Sequence, residues 1–380
     1  MSTPSPTAPR TERKAWADVT KGVAMIMVVF YHASLYLLHN GVDGVPSRAK
    51  AIFELFPMPA FFLIAGLFGA RMLTWSFREL WYRRLWPILY LYLVWSVIRT
   101  LYYLAMPGVA GELGELPASH PLTLALVFLW PSSSYWFLYA LAIYVVVAWL
   151  LRKVPPAVTV GALAVVSTAF TTGLVQTGNL GWNRVGALAV FYVGGVVYSQ
   201  KITTLVGRAR PWTVWAALGV FLTIGALLLL GLRPVPFLAL AGQASAVAFG
   251  VLAATLVART RAAGFLSGIG VRSLPIYLLH LYVIVPIATL IGLLDPQWPW
   301  PVETVTVFAL AAFALWASVR LHSVTAKVRW LYVAPAWLGG PGRTARARAR
   351  QADAPTTEIP DHPAPRGRER PALARRGDAA

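Results

Sequence analysis

The chain has 380 residues, of which 58% are hydrophobic and only 12% are charged. A soluble globular protein carries about 25% charged residues, so the composition indicates a polytopic membrane protein. The absence of cysteine excludes disulfides, thiol nucleophiles and Cys-ligated metals. The formal net charge of +19 does not indicate nucleic-acid binding, because the basic residues mostly flank hydrophobic segments, as they do at cytoplasmic membrane edges.

The two ends of the chain differ from the segment between them. Residues 1–15 are basic and contain Ser, Thr and Pro, so they predict a disordered cytoplasmic N-terminus. The apolar run that follows is too long for a signal peptide and lacks a clear cleavage site, so we interpret it as an uncleaved first transmembrane helix. Residues 336–380, rich in Arg, Ala and Pro, predict a disordered basic tail that contacts anionic lipid headgroups. Residues 16–335 are the predicted transmembrane domain.

Ten segments are apolar enough to cross a bilayer, for which a helix needs about 20 mostly apolar residues. They predict an all-α bundle of about ten transmembrane helices. The predicted spans are 19–38, 52–73, 85–105, 133–151, 156–174, 184–200, 212–232, 236–258, 272–294 and 302–322. The apolar stretch 121–130 is too short to cross and predicts a re-entrant or interfacial segment.

The distribution of basic residues predicts that both termini are cytoplasmic. With that orientation, the outer side and its helix ends receive only Arg48, Lys50, Arg99, Arg184 and Arg233, and the other Lys and Arg before the tail fall inside. This asymmetry agrees with the positive-inside rule. The Ala-, Arg- and Gly-rich composition is typical of a high-GC bacterium, so we expect a multi-pass protein of the bacterial plasma membrane.

The first predicted helix carries three ionisable residues on one face. Lys21 and His32 are eleven residues apart, which is about 20° of net rotation, and Asp18 lies within about 40° of His32. Such a face must turn toward the bundle interior or a water-filled cavity. Histidine titrates near neutral pH, so His32 is suited to accept and return a proton. A simple hydrogen bond to a neighbouring helix is the alternative interpretation, and the shared polar face favours chemistry.

The opening motif resembles that of a known family. Asp18-x-x-Lys21-Gly22-x-Ala24, with ten residues between Lys21 and His32, is similar to the signature of the acyltransferase 3 family of membrane acyltransferases. Four later segments resemble its motifs in the same order: MPAFFLIAG (58–66), RRLWPILY (83–90), YWFLYALAIY (135–144) and SLPIYLLH (273–280). Ala65 departs from the family, which usually has serine there, so no role is assigned to that position.

The resemblance implies an enzyme that transfers an acyl group, usually acetyl, from cytoplasmic acyl-CoA to a hydroxyl. The implied acceptor is an envelope glycan or a secreted metabolite. His32 is the implied general base. Asp18 belongs to the same polar face, but it lies about four helical turns from His32, so we expect it to order the cytoplasmic mouth or to pair with a basic residue. We expect acyl-CoA as a donor substrate, membrane lipids as surroundings, and neither a metal nor a tightly bound cofactor.

Basic residues at the cytoplasmic side are candidates for binding the CoA phosphates. The resemblance points to Lys21, Arg83 and Arg84, and guanidinium groups bind phosphate oxygens through paired hydrogen bonds. Each of them is also explained as an ordinary anchor at the cytoplasmic membrane edge.

Further polar residues are candidates for the substrate path. Arg99 lies deep in the third predicted span and needs a partner. Ser273, Tyr277 and His280 fall at i, i+4 and i+7, on one helical face, where they line a cavity or form an interhelical hydrogen-bond cluster. For Trp130, Trp136 and Tyr139, an interfacial aromatic belt is the favoured interpretation over a sugar-stacking surface.

A transporter or flippase for a polar lipid or glycan is the competing function, because it also needs a polar cavity among many helices. Such a protein would more often show broken helices in two matched halves. The halves of this sequence show no clear repeat, and the spacing of Lys21 and His32 favours the acyltransferase.

Overall fold

The protein is all-helical wherever its structure is described. The structure, a computed structural model, describes residues 12–46, 53–105, 122–131, 135–294 and 297–335, with the single residues 49, 120 and 338. Within these ranges there is no strand, which confirms the predicted all-α fold. The chain divides into two units, Met1–Pro335 and Ala336–Ala380. The predicted disordered tail lies outside the described residues apart from residue 338.

The helices follow the predicted apolar segments. In chain order they are α1 (Glu12–His39), α2 (Pro57–Leu67), α3 (Phe77–Leu104), α4 (Leu122–Ala125), α5 (Trp136–Leu150), α6 (Pro156–Thr171), α7 (Leu180–Val197), α8 (Ser199–Gly207), α9 (Pro211–Leu227), α10 (Leu238–Val257), α11 (Ala262–Val271), α12 (Ser273–Leu293) and α13 (Trp300–Thr325). Eight of the described helices are long and apolar enough to span a membrane, namely α1, α3, α5, α7, α9, α10, α12 and α13. The predicted spans at 52–73 and 156–174 correspond to the shorter α2 and α6. The count of about ten transmembrane helices and the cytoplasmic location of both termini stay predictions.

Helix α1 lies among five neighbours, packing against α2, α10, α11, α12 and α13. Glycines permit its closest approach, to α11: a Cβ added at Gly22 would run into the Leu266 backbone, and one at Gly270 into the Asp18 backbone. The helix begins at Glu12, so the predicted disordered N-terminus of residues 1–15 is wrong for residues 12–15. Glu, Arg and Lys have good helix propensity, and here they extend the apolar helix.

Helix α3 begins eight residues before the predicted third span. Ser76 forms a capping box with Glu79: each side chain bonds the other residue's backbone N–H, at 3.3 Å in both cases. The capped turn leads into a π-helical turn, Trp81–Leu85, that carries Arg83 and Arg84. The predicted start at residue 85 relied on hydropathy, and the polar capping residues lower the hydropathy of this first turn.

The segment 122–131 is too short to span a membrane. Side chains from longer helices hold it in place through hydrogen bonds to its backbone carbonyls. The Tyr92 hydroxyl donates to the Val127 carbonyl at 2.7 Å, and the Tyr139 hydroxyl donates to the Phe128 carbonyl at 2.6 Å. The Trp182 indole N–H donates to the Leu129 carbonyl at 3.0 Å. These bonds satisfy backbone groups that a continuous helix would satisfy internally, which is the requirement for irregular backbone at membrane depth.

Helix α9 is the least buried of the eight candidate spanning helices. It packs chiefly on α10, and the ring of Phe221 stacks on that of Phe249 with centroids 6.1 Å apart. A π-helical turn, Leu228–Leu232, ends it at Gly231, whose φ of 89° favours glycine. Arg233 follows this turn and pairs with Glu54, which precedes α2.

Candidate functional site

A pair of histidines joins α1 to α12 inside the bundle. His32 Nδ1 lies 3.2 Å from His280 Nε2. Each ring also meets a carbonyl of its own helix: His32 Nδ1 lies 2.9 Å from the Val28 oxygen, and His280 Nδ1 lies 3.0 Å from the Ile276 oxygen. His280 is fully buried. The two predicted site histidines, 248 residues apart in the chain, are therefore direct neighbours.

The carbonyl contacts assign the tautomers of both rings. A carbonyl oxygen only accepts, so Nδ1 carries the proton in His280 and in His32. His280 then presents a lone pair at Nε2, and the single Nδ1–H of His32 is shared between that lone pair at 3.2 Å and the Val28 oxygen at 2.9 Å. The lone pair of His32 lies at Nε2. This is the arrangement in which a neighbour fixes the tautomer of a histidine base and stabilises the imidazolium that it becomes.

His32 lines a cavity of about 200 Å³ that we call the His32 chamber. Helices α1, α2, α5, α6, α7, α10 and α12 and the turn after α9 contribute to its wall. Its polar and aromatic lining is Tyr31, His32, Phe53, Glu54, Trp136, Phe170, Thr171, Asn183, Arg184, Arg233, Gln243 and Tyr277. A cavity whose wall mixes apolar, aromatic and a few polar side chains is typical of sites for small polar ligands.

Charged side chains border the chamber away from the histidine pair. Arg233 Nη2 lies 2.8 Å from Glu54 Oε2, which links the turn after α9 to the residues before α2. The Arg184 guanidinium lies over the Trp136 ring, 5.4 Å from its centroid. Gln243 is only 8% exposed. Its side-chain oxygen has no hydrogen-bond partner among the described residues. Most buried polar side-chain atoms have a hydrogen-bond partner, so this oxygen is an exception in the chamber wall.

The other end of α1 carries an ion pair. Asp18 Oδ1 lies 2.7 Å from Lys21 Nζ, and both side chains are 26% exposed. Asp18 is about 21 Å along the helix axis from His32, and Lys21 is about 16 Å from it. The predicted pairing of Asp18 with a basic residue is therefore observed, and Asp18 does not contact the histidine pair.

The two arginines of the π-helical turn have different surroundings. Arg83 is exposed, lies 3.0 Å from Glu79 and stacks over Trp75 at 5.1 Å. Arg84 is half-buried and lies beside the hydroxyl of Tyr192, a fully buried residue of α7. The sequence left open which arginine serves the donor, and only Arg84 extends toward the bundle interior.

A larger cavity of about 1260 Å³ lies beside Trp16, α8 and the end of α10, with Arg208 and Arg259 in its lining. None of Lys21, Arg83 and Arg84 lines it. Trp16 is about 160° around α1 from His32, so this cavity lies on the opposite side of the helix from the histidine pair.

The remaining predicted residues divide between the chamber and its surroundings. Tyr277 lines the chamber, while Ser273 is half-buried at the start of α12 and does not line it. Arg99 is buried and lies over the Tyr103 ring at 5.0 Å, and it does not line the chamber. Trp136 is buried in the chamber wall, so the favoured belt interpretation is wrong for it.

Sequence reasoning missed Glu54, Asn183, Arg184, Arg233 and Gln243 as chamber residues. One signal was present: Arg184 and Arg233 belong to the few basic residues assigned to the outer side. Basic residues where the positive-inside rule expects few deserve a functional explanation. Gln243, an isolated amide in an apolar helix, carried no pattern that links it to His32.

Eight apolar helices, with a histidine pair beside a polar chamber among them, define a multi-pass membrane protein with an internal site. A family model described as an acyltransferase domain matches residues 14–320, which is most of the chain. The chain therefore belongs to the acyltransferase 3 family, as its motifs predicted, and it is a membrane acyltransferase. This assignment favours the enzyme over the transporter. Searches of curated proteins and of solved structures give no significant match.

Proposed function

We propose that the protein transfers an acyl group, in the simplest case acetyl, from acyl-CoA to a hydroxyl group, with His32 as general base. The observation that carries this proposal is the hydrogen-bonded pair of His32 and His280 at the wall of the chamber. The pair holds the basic lone pair of His32 at Nε2. A base with a fixed tautomer beside a cavity is what hydroxyl acylation requires.

In the proposed reaction His32 Nε2 takes the proton of the acceptor hydroxyl while its oxygen attacks the thioester carbonyl. The carbon–oxygen bond forms, and the tetrahedral intermediate then loses CoA as a thiolate. The imidazolium returns its proton to that sulfur, so the products are the acyl ester and free CoA. A positioned general base typically contributes about 10²–10⁴-fold to such a rate.

His280 is the proposed positioning residue. It accepts the Nδ1–H of His32 throughout the cycle, which keeps the ring orientation and stabilises the positive charge that forms on it. Its own Nδ1–H bond to Ile276 holds its lone pair toward His32. A neutral histidine serves here in the place that a carboxylate takes in many catalytic triads.

Lys21 and Arg84 are the proposed donor-binding residues. Lys21 shares the α1 face of His32 and lies about 16 Å from it along the axis, so a molecule extended along that face contacts both. Arg84 extends inward from α3, whereas the guanidinium of Arg83 is engaged by Glu79. The opposite placement of the larger cavity argues against it as the donor site. Asp18 orients Lys21 rather than taking part in proton transfer.

The proposed acceptor is an envelope glycan or a secreted metabolite, and the proposed location is the bacterial plasma membrane with both termini in the cytoplasm. The composition and the distribution of basic residues support this setting. The chamber supports a hydroxyl-bearing acceptor because its wall combines aromatic rings with hydrogen-bonding side chains.

A deletion strain complemented with wild-type protein or His32→Ala tests the proposal. Ester-linked acyl groups are released from the lipids, envelope glycans and secreted metabolites and identified by mass spectrometry, with the two proteins at equal abundance. We expect an acyl ester with the wild type and its loss, by at least a factor of about 100, in the variant. Identical ester profiles would mean that His32 is not the base.

A further inference from the structure

A second cavity adjoins the His32 chamber. It has a volume of about 310 Å³ and lies between α9 and α10, and we call it the α9 groove. The α9 side of the groove is apolar, with Phe221, Leu222 and Leu229 among its lining. Leu222 is 58% exposed and Leu229 is 50% exposed at the surface of the bundle. On a spanning helix that surface faces lipid, so the groove opens sideways into the membrane.

The groove and the chamber share four polar residues. Glu54, Thr171, Arg233 and Gln243 line both cavities, and we call this set the polar neck. One ion pair crosses the neck, between Glu54 and Arg233 at 2.8 Å. The unsatisfied side-chain oxygen of Gln243 lies in the same wall. The two cavities therefore meet at these four residues, between the exposed apolar side of α9 and the chamber that His32 lines.

We infer that the acceptor is an amphiphile whose hydrocarbon chain occupies the α9 groove while its hydroxyl-bearing headgroup passes through the polar neck to His32. This inference rests on the proposed function, because it names the class of acceptor for that reaction. The headgroup hydrogen-bonds Gln243 and contacts the ion pair. A lipid-linked sugar has this combination of parts.

The polar neck decides against a hydrocarbon chain from the donor. A long acyl chain extending from a thioester at His32 would have to cross the neck, leaving Glu54, Arg233 and Gln243 against apolar carbon. Covering the Glu54–Arg233 ion pair and the unsatisfied oxygen of Gln243 with hydrocarbon would cost desolvation free energy, so the neck fits a polar headgroup instead. The surface opening gives the chain of a membrane lipid a way in without leaving the bilayer.

Two glycines on α9 provide a matched pair of variants. A Cβ added at either Gly225 or Gly219 meets nothing within 4 Å, so both positions accept a larger side chain without a clash at its first atom. Gly225 lines the groove, while Gly219 does not and is exposed. Gly225→Phe fills the groove, and Gly219→Phe places the same side chain on the same helix outside it.

The test uses membranes from the deletion strain that contain wild type, Gly225→Phe or Gly219→Phe at equal abundance. The probe is acetyl-CoA labelled with ¹⁴C in the acetyl group, and the products are partitioned between chloroform–methanol and water. We expect wild-type label in an organic-phase product that mass spectrometry identifies as chain-bearing. We expect Gly225→Phe to lower that label by at least about tenfold and Gly219→Phe to keep it within about twofold.

Three outcomes would overturn the inference. Label in a water-soluble acceptor, at equal levels in wild type and Gly225→Phe, would show that no chain uses the groove. Equal losses in both variants would show that α9 tolerates no large side chain and that the groove is not responsible. No transfer by wild type above empty-vector membranes would instead refute the proposed function, and this inference with it.

Discussion

The two ends of α1 each hold a polar pair, and the pairs differ in how they are made. Asp18 and Lys21 are three residues apart on one helix and are 26% exposed. His32 and His280 come from different helices, and His280 is fully buried. The first pair is local and partly solvated, so its energy is small. The second depends on the bundle being assembled, and each ring has little choice of partner.

This contrast indicates that the charged pair on α1 need not be the pair with the larger effect on function. A hydrogen-bonded pair inside the bundle fixes proton positions, whereas a partly exposed ion pair is screened and replaceable by water. We therefore expect substitutions in the His32–His280 pair to cause larger losses of activity than substitutions in the Asp18–Lys21 pair.

The substitution His280→Leu tests how much the hydrogen bond between His32 and His280 contributes to activity. It removes one of the two acceptors of the His32 Nδ1–H and leaves the Val28 oxygen at 2.9 Å. Because a hydrogen bond to a charged group contributes about 1.5–3 kcal/mol, loss of the His280 bond to the imidazolium should lower kcat about 10- to 100-fold. The KM for acetyl-CoA should stay within about twofold, because His280 does not line the chamber. Steady-state kinetics of the purified protein in nanodiscs measure both constants.

His280→Asn is the control for that prediction, since its amide keeps a hydrogen-bond acceptor in the same region. It should recover part of kcat. A loss of protein abundance in His280→Leu, with normal kcat per molecule that remains, would show that His280 serves folding alone.

Arg84→Gln compares the two arginines of the π-helical turn. Loss of a charge-assisted bond to a CoA phosphate should raise the KM for acetyl-CoA about tenfold, with kcat little changed. Arg83→Gln should change KM less than about threefold, because its guanidinium is already paired with Glu79. The same kinetic assay, with acetyl-CoA varied, decides this; equal effects from the two arginines would contradict the assignment to Arg84.

The smallest effects are expected at the exposed end of α1. Asp18→Asn breaks the ion pair with Lys21 and should cost less than about 1 kcal/mol of stability, measured by thermal unfolding in detergent. Lys21→Gln should cost a similar amount of stability but also raise the KM for acetyl-CoA several-fold. Indistinguishable kinetics for the two variants would remove Lys21 from the proposed donor site.

Much of the fold was predictable because a bilayer imposes a simple rule on sequence. Apolar length located the helices, and the polar face of α1 located His32. The start of α3 was missed because a capping box, not hydropathy, sets it at Ser76. The predicted disordered N-terminus included residues 12–15, which are helical. They add a polar turn to an apolar helix, and composition does not distinguish that turn from the polar residues before it.

The sequence by itself determined the membrane class, the approximate positions of the helices, the family and His32 as the candidate base, since each depends on local spacing or on a motif within one segment. Only the tertiary structure decided that His280 is the partner of His32 and that Gln243, Glu54 and Arg233 share its cavity. Those residues lie on separate helices, and which faces of the helices meet is set by close packing, such as the glycine contacts of α1 with α11. No periodicity within a single helix contains that information.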